Sequence, residues 1–157
     1  MWTKLIDIVE TRWHESLTPK QNLAKAINTL YGAMFNCHIA FQYFENDQNE
    51  QNFANFAFAV DGMISTLKNL HPTLKIFDQE LADRLNNYAM GSDRIAAMSN
   101  PRDLVKSQIR FLRELVDEES NIIGLPEENF TAFRGAKDQL SKFISTHLTM
   151  SEIFEQP

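Results

Sequence analysis

The chain has 157 residues, 43% of them hydrophobic and 23% charged, with a formal net charge of -6 and a pI near 5.2. That is enough apolar material for a packed core and too much for a disordered chain, and the acidic balance argues against a generic binder of nucleic acid or anionic membrane. The single Cys37 excludes an intrachain disulfide and fits a reducing compartment. The amino-terminal stretch MWTKLIDIVETRW carries charges throughout and does not read as a signal peptide, and no apolar run approaches the ~20 residues that span a bilayer. The expectation is a cytoplasmic protein with no membrane contact.

Trp2, Leu5, Ile6, Val9 and Trp13 recur at helical spacing and predict a first helix over 2–16. Leu17 and Thr18 are a short connection, so this helix should fold back on the next. The stretch PKQNLAKAINTLYGAMFNCHIAFQYF then predicts one long helix over 19–44, with Thr18 as N-cap and Pro19 in the first turn. Leu23, Ile27, Leu30, Met34, Cys37, Phe41 and Phe44 mark one face, and Ala24, Tyr31, Phe35 and His38 a second stripe beside it. A helix with two apolar stripes should be surrounded by neighbours, so this one is expected to be the central helix of the fold. Gly32 within it is either a weak point or a place where a neighbour approaches closely.

ENDQNEQN, at 45–52, has no apolar residue and reads as an exposed loop. A third helix is expected over 53–70, on Phe53, Phe56, Val60, Met63, Ile64, Leu67 and Leu70, with Gly62 inside it. His71-Pro72 should stop it, because proline pushes the preceding residue out of helical geometry. A fourth helix is expected over 73–90, with Leu74, Phe77, Leu81, Leu85 and Tyr88 inward and Gly91 as a left-handed cap. Asn100-Pro101 restarts a helix to about 120, with Leu104, Val105, Ile109, Leu112, Leu115 and Val116 inward. Pro126 begins a last helix to 148, on Phe130, Phe133, Leu140, Phe143, Ile144, His147 and Leu148. The segment 149–157 is a tail that either adds a turn or frays. With no strand-like alternation, no repeat and no long linker, the fold class is all-α. The chain reads as a single domain over 1–157, an antiparallel helical bundle of five or six helices around the long central one.

The search for chemistry returns little. His14, His38, His71 and His147 fall in neither Glu-x-x-His nor His-x-x-x-His spacing, so no metal site is expected and no cofactor is called for. Cys37 lies on the apolar stripe and reads as a small buried hydrophobe rather than a nucleophile. His38 reads as a core-edge histidine with a hydrogen bond. No glycine-rich phosphate loop is present, and no catalytic residue is named, although a site assembled from distant residues stays open.

Two surface features remain. Arg102, Lys106, Arg110 and Arg113 follow i, i+4, i+8, i+11 and form a basic stripe, with Asp117, Glu118 and Glu119 at the far end of the same helix. That order opposes the helix dipole, so helix stability alone does not account for it. It is either a solvated face with Arg110–Glu114 and Arg113–Asp117 pairs or a surface for an anionic partner. The second feature is a surplus of large apolar residues beside the main stripes: Ile8, Phe58, Ile76, Phe111, Ile122, Ile123, Ile153 and Phe154. Either they widen the core or they form an exposed binding patch, with Ile153 and Phe154 as the leading partner contacts. Together these point to a non-catalytic bundle working through protein–protein contact, as a dimer or an accessory subunit. The alternative is a bundle that binds an anionic ligand or nucleic acid through the basic stripe, with a hydrolytic role in view.

Overall fold

A computed structural model describes residues 2–13, 20–91, 101–116 and 126–147. Among the described residues the chain is all-helical with no strand. Its helices are α1 (Trp2–Trp13), α2 (Lys20–Asn46), α3 (Glu50–Asn69), α4 (His71–Phe77), α5 (Gln79–Met90), α6 (Pro101–Val116) and α7 (Pro126–His147).

The turn between α2 and α3 is shorter than the polar run suggests. Asn49 is extended and its side chain accepts from the Asn52 N–H at 2.8 Å, so α3 starts at Glu50. The Asn52 amide in turn donates to the Tyr43 and Asp47 carbonyls, at 3.1 and 2.8 Å. The Tyr43 carbonyl also accepts from the Asp47 N–H at 3.0 Å, so the Asn52 amide adds a second bond to it and pairs the Asp47 carbonyl of the turn, which fixes the two helices as an antiparallel hairpin.

The expected fourth helix is two helices. Asp78 is extended, with φ -157° and ψ 102°, and its carboxylate accepts from the Leu81 N–H at 3.0 Å to cap α5. Lys4 of α1 approaches the same carboxylate at 3.5 Å. The apolar spacing hides this break because Leu74 and Leu81 stay on the buried side across it. α3 ends at Asn69, just ahead of His71-Pro72 as expected, but the reason differs. His71 stays helical before Pro72, at the start of α4, since Leu70 keeps right-handed geometry and its carbonyl accepts from the Leu74 N–H. The expected left-handed cap at Gly91 does not form. Gly91 has φ -64° and ψ -12°, so it ends α5 in right-handed geometry, its N–H bonded to the Asn87 carbonyl at 3.0 Å.

The buried apolar residues form one core. α2 supplies Leu23, Ile27, Leu30, Met34, Cys37 and Phe41, the expected first stripe less Phe44, which is half-buried. α3 packs on α2 through Phe56, Val60, Met63 and Leu67, and α5 packs on α3. α7 lies against α2 and α6, where Phe41 stacks on Phe130 at 4.1 Å between ring centroids and Phe56 meets both rings. Arg134 covers this aromatic cluster, 5.8 and 5.6 Å from the Phe41 and Phe130 centroids, and pairs with Glu45 at 2.8 Å. The Trp2 indole donates to the Gln139 side chain at 3.1 Å, which ties the start of α1 to α7.

Candidate functional site

The titratable residues singled out from the sequence do not assemble into a catalytic centre. Cys37 is fully buried on α2, and its thiol donates to the Ala59 carbonyl at 3.3 Å. Burial pushes its pKa up to about 12, so it is a closed thiol at neutral pH. His38 is half-buried beside α7, and its Nδ1 finds no hydrogen-bond partner among the described residues, contrary to expectation. Its pKa lies below the ordinary value because burial disfavours the charged ring and Lys137 and Arg134 repel it, with Asp138 opposing them. His71 meets Asp83 at 2.7 Å at the surface. His14 and the side chain of His147 lie outside the described residues. Among those described, no three metal-ligating side chains converge.

The basic helix is α6. Lys106 and Arg110 are exposed one turn apart, but Arg113 is turned inward and only 7% exposed. Gln108 is also buried, its Oε1 without a hydrogen-bond partner among the described residues. The side chain of Arg102 and all of 117–125 lie outside the described residues, as do Ile153 and Phe154.

The surplus apolar residues divide. Phe111 joins the core and stacks on Tyr88, whose hydroxyl donates to the Phe111 carbonyl, and Ile8 packs against the core from one side. Phe58 and Ile76 are exposed, at 79% and 62%. Ile122 and Ile123 fall outside the described residues.

Phe58 leads to a groove. It runs along the outer face of the α2–α3 hairpin with a volume of about 750 Å³. Small residues line its floor, Gly32, Ala33 and Ala40 from α2 and Ala59 and Gly62 from α3, while Phe35, Tyr43 and Phe58 stand on its edges. The polar groups lining it are the neutral side chains of Thr29, Asn36, Asn55 and Thr66. No lining residue carries a charge, and α2 has no Asp, Glu, Lys or Arg between Lys25 and Glu45.

The two glycines behave differently from the close-approach reading of the sequence. A Cβ built on Gly32 or Gly62 would meet nothing within 4 Å. No neighbour among the described residues crowds either one. The second apolar stripe of α2 is correspondingly uncovered in part: Ala24 is buried, Tyr31 is half-buried and Phe35 is 41% exposed. The sequence signals for this groove are Phe58 among the surplus apolar residues and the missing charges in α2, since periodicity alone does not say which apolar stripe has a neighbour.

Among the described residues, no helix is long and apolar enough to cross a membrane. No protein-family model, no curated protein and no solved structure matches the chain.

Proposed function

We propose that the protein is a non-catalytic helical bundle that acts through protein–protein contact, as an oligomer or an accessory subunit, with the α2–α3 groove as its contact surface. The carrying observation is an uncharged groove edged by three exposed aromatic rings on a chain that is 23% charged. Exposed apolar patches rimmed by polar groups mark sites of association, and aromatic residues are enriched at the energetic centres of interfaces. α2 packs against α1, α3, α4 and α7, while α3 packs against α2, α4, α5 and α6. This leaves the hairpin's outer face as the side of α2 and α3 that no other described helix covers.

The anionic-partner alternative has less support. With Arg113 inward, the described side chains leave Lys106 and Arg110 as the exposed pair on α6. Two cations give little of the salt-dependent attraction on which nucleic-acid binding rests.

Site-specific photocrosslinking tests the contact reading. A photoreactive amino acid at Phe58 should yield protein adducts when the chain is expressed in its own cells. The same group at Ile76, equally apolar but outside the groove, should yield few. Absence of protein adducts at Phe58, in chain that remains folded, sinks the contact reading.

A further inference from the structure

We propose that the occupant of the α2–α3 groove is a second copy of this chain, apposed face to face and antiparallel across a twofold axis. The inference rests on the contact reading above and names its partner.

Three observations favour a second copy. The first is shape. An isologous interface must fit itself, and this face carries both kinds of surface such a fit needs: exposed Phe35, Tyr43 and Phe58, and the small residues Gly32, Ala33 and Gly62. Glycine weakens a helix interior, and among the described residues neither glycine is needed to admit a neighbour, since each has open space where a Cβ would stand. Gly135 on α7 is equally uncrowded, so open space alone decides nothing. What distinguishes Gly32 and Gly62 is that they come from two helices and line the same groove.

The second is charge. Copies with a net charge of -6 repel one another, and a surface without charge is where that repulsion is weakest. The hairpin's ends are not neutral. Exposed Asp47 and Glu50 stand at the α2–α3 turn, beside Glu45, which pairs with Arg134; exposed Lys25 and Lys68 stand toward the opposite end, with exposed Asp61 between on α3. Antiparallel apposition sets the acidic end of each copy against the basic end of the other. A parallel arrangement would set like against like.

The third is area. α3 has 20 residues, so the hairpin face is roughly 30 Å long, and two helices side by side are roughly 20 Å wide. A projected area on the order of 600 Å², raised by side-chain relief, approaches the ~800 Å² per partner of a standard stable interface.

Sedimentation velocity of the full chain, from below to well above micromolar concentration, reads the outcome. The expected result is a reversible species of twice 18.1 kDa. Phe58→Glu, and independently Asn36→Arg on the facing helix, should each weaken dimerisation by about tenfold or more, with the melting temperature of the dilute protein unchanged. Lys25→Glu should weaken it as well, and adding Glu50→Lys should restore part of the loss. A dimer indifferent to all three single changes overturns this face as the interface while leaving protein contact itself standing. A monomer at every concentration overturns the second copy; crosslinked adducts at Phe58 then decide whether a different protein fills the groove or the contact reading fails too.

Discussion

Phe41 and Phe58 sit on the same pair of helices, and one is 1% exposed while the other is 79% exposed. On the inner side of the hairpin, Phe41 and Phe56 have α7 laid across them, with Phe130 stacked and Arg134 closing the cluster. On the outer side, Phe35, Tyr43 and Phe58 flank a floor of small residues and no helix of the described chain covers them. The two faces use similar residues. What separates them is bulk at the centre: the inner face fills its middle with phenylalanine, and the outer face empties its middle with glycine and alanine. A filled centre is completed by the chain itself, and an emptied one has room for something else.

The largest expected effect breaks this comparison most directly. Phe130→Ala should destabilise the chain by about 3–5 kcal/mol, because it opens a cavity in the aromatic cluster. Phe58→Ala should change stability by no more than about 0.5 kcal/mol at dilutions where the chain is monomeric. Urea unfolding followed by circular dichroism measures both. Comparable losses in the two variants would mean that the outer face is covered within the chain itself, and the distinction between the two faces would collapse.

How much of this was legible in the sequence follows from what periodicity encodes. The spacing puts Leu23, Ile27, Leu30, Met34, Cys37, Phe41 and Phe44 on one face of α2, and all are buried but Phe44, which is half-buried. Their spacing is set by the helix itself, so the reading needed no knowledge of neighbours. The second stripe of α2 was read as buried too, and Phe35 is not, because spacing reports that a stripe exists and not what lies across from it. Asp78 was passed over as a break because the apolar residues keep their phase on both sides of its extended backbone. Arg113 was placed on an exposed basic stripe and is buried, since it sits at the border of the α6 apolar arc, where Leu112 and Ile109 draw it inward. The groove as a whole was missed for a different reason. Beyond Phe58, its signal is an absence of charge along the exposed side of α2, and an absence stands out only once the exposed side is known.

A smaller effect probes the edge between the two faces. His38 lies on α2 near α7, with Lys137 and Arg134 raising the cost of a positive ring and Asp138 opposing them. Its folded-state pKa is lowered, so as pH falls through the ordinary histidine value near 6.5 the unfolded chain takes up the proton first. Stability present above that pH is therefore lost on acidification, until the folded state is protonated as well. The melting temperature should decline between pH 7.5 and 5 more steeply in the native sequence than in His38→Gln. The other histidines are common to both proteins, so parallel curves would mean that the ring is free to be charged in place, and that α7 does not enclose it.

The smallest expected effect is the most selective. Gly62→Ala and Gly32→Ala each place a methyl group where nothing stands within 4 Å, in helical backbone. Each should raise the stability of the dilute, monomeric chain by about 0.5–1 kcal/mol, by removing glycine's excess freedom in the unfolded state. In a dimer packed through the groove, the same methyl groups occupy space meant for the partner's rings, so self-association should weaken. Gly135→Ala is the control: its Cβ is equally unobstructed, but it lies on α7, outside the groove. It should raise stability and leave association unchanged. Opposite signs at Gly32 and Gly62, with a single sign at Gly135, require that the groove glycines serve a contact outside the chain. If all three variants are more stable and associate as before, the emptied centre of the outer face is not used for packing, and the aromatic edges alone remain as the contact surface.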